Sequence, residues 1–365
     1  MKKVVILTNH DAYTYNFRKE IIKSLIDNGY KVYIVLPYGE KVELLKKMGC
    51  EFIDIPLDRR GTNPFTDFKL LFRYRKLLQE LKPGTVLTYT IKPNLYGGIV
   101  CRLLKIPHIA NITGLGSAIE KGRIIQKITL MLYRVAFGRI NCVFLQNEEN
   151  LQFFIDKRIA MGKHRLIPGS GVNLKHFQVL DYPSDEVIEF LFIGRVMKEK
   201  GIDLYIETAK TIKEKYPNTV FHILGFCEEA YDEYLKQLDK HGTIKFHGMQ
   251  SDIRPFIEKS HCTIHPSYYP EGLSNVLIES AACGRPVIAT NKSGCRETVD
   301  DGVTGFLVRE KDSQDLIEKV EKFIQLDYEN KKQMGLAGRA KIEKEFDRQI
   351  VVQAYMDEIE MITNV

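Results

Sequence analysis

Short apolar runs alternate along the chain with longer stretches of helical period. Val4–Thr8, Lys31–Leu36, Phe52–Ile55, Thr85–Tyr89 and His108–Ile112 read as strands, and Cys142–Gln146 and Arg165–Ile167 extend the series. Between them Asn16–Asn28, Lys41–Met48, Phe68–Leu81 and Asn94–Leu104 carry helical spacing, with Gly29, Gly49 and Pro83 as stops. This alternation predicts βαβ units and a parallel sheet. Helical period is lost across Pro168–Asp185, where Gly, Pro and Ser cluster, and then the rhythm restarts. Glu189–Ile193, Thr219–Leu224, Ile244–Phe246, Cys262–His265, Pro286–Ala289 and Gly305–Val308 read as six further strands, and Arg348–Ile362 as a final helix. The pattern predicts an α/β protein with two doubly wound parallel sheets. Residues 1–172 form an N-terminal Rossmann-like domain, 173–345 a C-terminal one, and 346–365 a helix that can cross back to the first. Such sheets bind ligands at the carboxyl ends of their strands, so the two domains are expected to face each other across a cleft.

Composition narrows the class. The 365 residues are 44% hydrophobic and 27% charged, as in a globular protein. The cysteines at 50, 101, 142, 227, 262, 283 and 295 are odd in number and form no CxxC pair, which argues for a reducing cytoplasm and against a zinc site. The opening MKKVVILTNH reads as a strand rather than a leader, and no apolar run approaches the ~20 residues that span a bilayer. The net charge of +6 hides an asymmetry: residues 1–180 carry 29 Lys+Arg against 14 Asp+Glu, a net of +15, and the remainder is at −9. A basic half points to an anionic partner, either nucleic acid or a membrane surface.

The densest chemistry lies in His265-Pro-Ser-Tyr-Tyr-Pro-Glu-Gly-Leu-Ser-Asn-Val-Leu-Ile-Glu-Ser-Ala-Ala-Cys-Gly-Arg-Pro286. A strand ends at His265, a loop carries Glu271 and Gly272, and a helix is expected from Ser274 to Cys283, stopped by Gly284. Glu271 and Glu279 are eight residues apart, about 12 Å if helical, which suits two ends of an extended ligand. The amides of Gly272, Leu273, Ser274 and Asn275 at the helix mouth are expected to be free to hold phosphate. A single glutamate here would ordinarily be a surface charge; the whole E-x7-E pattern followed by G-R-P-V-I is harder to explain that way. In Phe192-Ile-Gly-Arg-Val-Met-Lys-Glu-Lys-Gly201, a turn at Gly194 precedes Arg195 and Lys200, which can clamp two phosphates as a fork and a point charge.

These segments resemble the retaining glycosyltransferases of family 4, which have the GT-B fold. The resemblance implies that Glu271 meets the hydroxyls of the donor sugar and Glu279 the ribose, while Arg195 and Lys200 hold the leaving diphosphate. Gly225 is also family-like and counted with the donor side, and the resemblance implies that the loop with His247 and Met249 lies beside the nucleotide base; Asp252 reads instead as a helix cap. Where many members carry a His, this chain has Thr113. On the acceptor side the candidates are the loop with His10, Tyr15 and Arg18, the strand end with Lys92 and Asn94, and the T-G-L-G-S turn with Thr113 and Gly114. Together with Thr62–Phe65 these resemble bacterial transferases that build capsule, O-antigen or glycoprotein glycans on a polyprenyl diphosphate lipid.

The resemblance therefore implies a UDP-sugar donor, a lipid-linked glycan acceptor and retention of configuration. No DxD flanks the nucleotide loops, so no required metal and no cofactor are expected. Residues 123–139 and 68–78 have the period of basic amphipathic helices, which can lie on an anionic leaflet from the cytoplasmic side or bury an ordinary core face. Rival classes fare less well. No G-x-G-x-x-G supports an oxidoreductase, and no reader motif supports nucleic-acid binding. A UDP-sugar epimerase and a catalytically silent lipid-glycan scaffold share the same architecture and stay open.

Overall fold

The central strands of both sheets are largely buried on both faces. In β1 (Lys3–Leu7) and β2 (Lys31–Leu36) every residue after the leading lysine is buried, as covered parallel strands require. The computed structural model describes residues 2–58, 61, 63–114 and 123–363. The chain divides into two compact units, Met1–Ser170 with Arg348–Val365, and Gly171–Asp347.

The first unit runs β1, α1 (Asp11–Asp27), β2, α2 (Val42–Lys47), β3 (Glu51–Asp54), α3 (Pro64–Leu81), β4 (Thr85–Tyr89), a π-helical turn (Pro93–Gly97), α4 (Gly98–Leu104), β5 (His108–Ile112), α5 (Arg123–Ala136), β6 (Cys142–Leu145), α6 (Glu148–Asp156) and β7 (His164–Leu166). Its seven parallel strands are ordered 3-2-1-4-5-6-7. The second unit runs β8 (Ile188–Ile193), α7 (Ile202–Lys215), β9 (Thr219–Leu224), α8 (Asp232–Lys240), β10 (Lys245–Gly248), α9 (Arg254–Lys259), β11 (Cys262–His265), α10 (Asn275–Ala282), β12 (Val287–Thr290), β13 (Gly305–Val308), α11 (Ser313–Ile324) and α12 (Tyr328–Glu345). Its six strands repeat the order, 10-9-8-11-12-13. In both sheets the winding direction reverses beside the first strand, and that reversal opens a crevice at the carboxyl edge. Helix α13 (Arg348–Thr363) belongs to the first unit and packs on α1.

Local chemistry moves several boundaries away from the periodicity reading. The segment Asn9–Arg18, read as a loop, turns helical at Asp11 because His10 Nδ1 accepts the Ala12 N–H and caps the helix there. In the same way Asn63 caps α3 and Pro64 takes its first position, so the T-N-P-F segment starts the helix. The stretch from Asn94 begins with a π-helical turn, a form concentrated at functional sites.

Candidate active site

In the second unit the loops after β8 and β11 flank the switch point, and their backbones touch. Gly201 closes the turn Lys198–Lys200 with φ +77°, and a Cβ there would fall 2.2 Å from the Pro266 carbonyl oxygen. The Tyr268 N–H donates to the Glu199 carbonyl at 2.9 Å. This contact seats Lys200 against Glu271. The nearly enclosed Glu271 carboxylate accepts from Lys200 Nζ, from Ser267 Oγ at 3.0 Å and from His265 Nε2 at 3.3 Å. Burial opposes ionisation of Glu271, but the Lys200 charge and the hydrogen bonds from His265 and Lys200 outweigh it and hold the carboxyl well below the usual carboxylate range.

Arg195 follows Gly194 at the end of β8 and donates from Nη1 to Glu228 at 2.6 Å. Its guanidinium lies 4.9 Å from the centre of the Tyr269 ring, and the Lys200 ammonium lies 5.2 Å from the same ring. One aromatic ring thus neighbours two cations. Burial works against the Arg195 charge, yet Glu228 and Tyr269 raise its pKa above the ordinary value. Gly225, at the end of β9, holds φ +145° and donates to the Gly248 carbonyl at 2.8 Å; a Cβ would lie 1.7 Å from the Gly194 carbonyl oxygen. The ends of β8, β9 and β10 are therefore drawn together by backbone alone.

Helix α10 starts at Asn275, so Glu279 sits little more than one turn inside it, and the predicted 12 Å helical separation from Glu271 does not apply. The amide row at its mouth is also not wholly free: the Ser274 N–H donates to the Gly294 carbonyl at 2.7 Å. The Leu273 side chain packs in the core, and Asn275 Oδ1 is buried with no hydrogen-bond partner. His247 bonds through Nε2 to His222 Nδ1 at 2.9 Å and rests on Phe256, while Met249 is exposed. Burial, then the neighbouring His222, lowers the His247 pKa. Asp252 Oδ1 accepts the Arg254 N–H, but Ile253 holds the cap position of α9, so Asp252 closes a turn ahead of the helix rather than capping it.

His265, Glu271 and Cys295 bring potential metal-ligand atoms within 4.8 Å of one another. The donor chemistry does not fit a cation. Lys200 already neutralises Glu271, and burial together with the Glu271 charge pushes the Cys295 thiol well up, keeping it protonated.

The acceptor candidates of the first unit fare unevenly. Arg18 is buried, with its guanidinium 4.6 Å from the Tyr89 ring centre and Nη1 3.2 Å from Ser170 Oγ, so it braces the core rather than facing a ligand. Asn94 is buried too, accepting from Thr88 Oγ1 and donating to the Asn111 carbonyl. Lys92 is held by Asp67 at 2.7 Å. Tyr15 is half-buried under the Lys19 ammonium. His10, Thr113 and Gly114 stand at the carboxyl edge; Leu115–Ser117 lie outside the described residues.

The sequence reading missed His265, Ser267, Tyr269, Glu228 and Cys295. The first three stood in the quoted motif, and their role depends on a fold-back within the loop. Glu228 is 33 residues from its partner Arg195 and carries no local signal.

Residues 176–341 match the family model of glycosyl transferases group 1, and residues 3–147 that of the glycosyl transferase 4-like family. The chain is a glycosyltransferase. This glycosyltransferase is similar, at 26% identity over 97% of both chains, to the N,N'-diacetylbacillosaminyl-diphospho-undecaprenol alpha-1,3-N-acetylgalactosaminyltransferase of Campylobacter jejuni. It is 28% identical to the capsular polysaccharide biosynthesis glycosyltransferase CapM of Staphylococcus aureus, over 90% of both chains. Among solved structures, the glycosyltransferase of Rickettsia africae gives a TM-score of 0.83 at 19% identity, covering 99% of this chain and 98% of that one. Anabaena HepE in complex with UDP gives 0.81 at 18% identity, covering 99% of this chain and all of that one. The two parallel-sheet units are those of the GT-B fold.

Proposed function

We propose that this glycosyltransferase moves a sugar from a UDP-sugar to a polyprenyl-diphosphate-linked glycan, with retention, in bacterial surface polysaccharide or glycan synthesis at the inner face of the plasma membrane. The observation that carries the reading is the pair of cations, Arg195 and Lys200, beside Tyr269 at the switch point, with an ionised Glu271 against one of them. The relatives named for a diphospho-undecaprenol substrate and for capsule synthesis support the acceptor class, and the UDP in HepE supports the donor.

In this mechanism the bond between the anomeric carbon and the diphosphate breaks, and charge grows on the leaving phosphate. Arg195 and Lys200 neutralise it from positions fixed before the reaction, which is where electrostatic catalysis gains most. The diphosphate competes with Glu228 for Arg195, while Lys200 has three donors and can serve Glu271 and a phosphate at once. Glu271 accepts from the donor sugar's hydroxyls and Glu279 from the ribose. The acceptor oxygen bonds to the anomeric carbon from the face the diphosphate leaves, and an oxygen of the leaving phosphate takes its proton. With two cations at the diphosphate, the reaction requires no divalent metal and no cofactor. His10, Thr113 and Gly114 are the candidates left to meet the acceptor.

Thermal-shift titration with UDP, GDP, NAD and UDP-sugars, in the absence of metal, tests the reading. Stabilisation by UDP and by one UDP-sugar is the expected result. No shift with any nucleotide sinks it, and an epimer formed without acceptor gives the site to an epimerase.

A further inference from the structure

Helices α3, α4 and α5 form one layer on a single face of the first sheet. Val86 in β4 and Ala110 in β5 share that face, and they belong to the clusters under α3 and α5 respectively. Each of these two helices already has a buried stripe: Leu70, Tyr74 and Leu78 on α3, and Leu130, Tyr133 and Ala136 on α5. Yet each presents a second apolar stripe outward. Phe65, Phe68 and Phe72, and Ile125, Ile128 and Met131, are 46–80% exposed. Phe68 and Phe72 meet edge to face, with ring centres 4.7 Å apart. Core packing does not account for these side chains.

Their position along the helices is informative. Five of the six lie in the amino-terminal halves of α3 and α5, the ends that start at the carboxyl edge of the sheet, and Met131 continues the α5 stripe just past its middle. Asp67 in the first turn of α3 is gripped by Lys92 and Tyr96, just beyond the end of β4, and α5 packs on the same π-helical turn. The apolar stripes therefore rim the edge where ligands bind. Exposed Lys69, Arg73, Arg75 and Lys76 lie along α3, and Lys127 and Arg134 along α5. Opposing charge is sparse: α3 has only Asp67, already paired, and Glu80 near its far end, and α5 has no carboxylate.

We infer that the amino-terminal parts of α3 and α5 seat the first unit on an anionic bilayer, ligand edge toward the headgroups. Aromatic and aliphatic side chains enter the interface, and the surrounding cations meet lipid phosphate. A lipid-linked acceptor then reaches the ends of β4 and β5 without leaving the membrane plane. That last link rests on the proposed function; the docking face does not.

The test is co-sedimentation of the full chain with vesicles of phosphatidylcholine, with and without phosphatidylglycerol, alongside the UDP-induced thermal shift. Wild type is expected to bind only the anionic vesicles, and added salt to weaken binding. The variants F65S/F68S/F72S and I125S/I128S/M131S are each expected to lose about tenfold or more in partitioning, with melting temperature and UDP shift kept, because the replaced groups face solvent. In F68W the tryptophan emission is expected to move to the blue on vesicle addition. A wild type that ignores anionic vesicles, or triple variants that bind as well as it does, overturns the inference. So does a chain that dimerises through this face instead, with dimers lost in the triple variants. Loss of the UDP shift in wild type with vesicle binding intact would fault the proposed function and leave the docking face standing.

Discussion

At Glu271 a single proton decides the state of the site. The carboxylate and the Lys200 ammonium are both nearly enclosed, at 13% and 11% side-chain exposure, so the pair is largely withdrawn from water. Glu271→Ala therefore does more than remove the proposed donor contact: it strands a buried cation, at a cost of about 3–5 kcal/mol. Glu271→Gln keeps the shape and is the cleaner probe. It is expected to lower kcat at least about a hundredfold while UDP still raises the melting temperature. The folded pKa of Glu271 is depressed, so the unfolded chain binds the proton more readily. The stability this group supplies is present above its unfolded pKa of about 4.3 and is lost as pH falls from there toward the folded value. Acid melts of wild type and Glu271→Gln should diverge above that point and converge below it. At Arg195 the planar fork and the stack on Tyr269 act together. Arg195→Lys keeps the charge, yet kcat/KM is expected to drop by about tenfold or more, since an ammonium cannot form the fork. A wild-type value there would remove Arg195 from the diphosphate.

Among the elements, the strand ends of the second unit are held by glycine. At Gly225 a methyl would sit 1.7 Å from the Gly194 carbonyl oxygen at a φ that side chains avoid. Gly225→Ala is expected to cost about 3 kcal/mol or more in denaturant unfolding, through strain and overpacking together. The existence of the strands was readable from the sequence, because covered parallel strands are largely apolar and an apolar run is a strong local signal. Helix starts were less readable. His10 and Asn63 cap upstream of the apolar period, so α1 and α3 begin before periodicity alone places them. The mouth of α10 was misjudged for a related reason: Gly294, twenty residues away, takes the Ser274 amide that a local reading counts as free.

For the whole molecule, the last helix decides whether the first unit has a complete core. Tyr355 in α13 is buried, its ring 4.5 Å from the centre of Phe144 and stacked on Tyr89, and its hydroxyl accepts from Asn111. Arg348 pairs with Glu20, and Arg165 with Asp357 and Glu358. Tyr355→Ala is expected to cost about 3–5 kcal/mol in the first unit. Removing residues 348–365 should leave that unit open to limited proteolysis while the second still responds to UDP; equal resistance of the shortened chain would show that α13 is dispensable. No helix among the described residues is long and apolar enough to cross a membrane. Pattern and motif in the sequence determined the α/β class, two sheets, and the cations and glutamates of the candidate site, because apolar period and loop chemistry are local properties. Only the tertiary structure decided that Arg18 and Asn94 are core, that Glu228 and Tyr269 join Arg195, and that the surplus apolar stripes rim one edge. Burial and pairing are set by residues distant in sequence, and no local pattern encodes them.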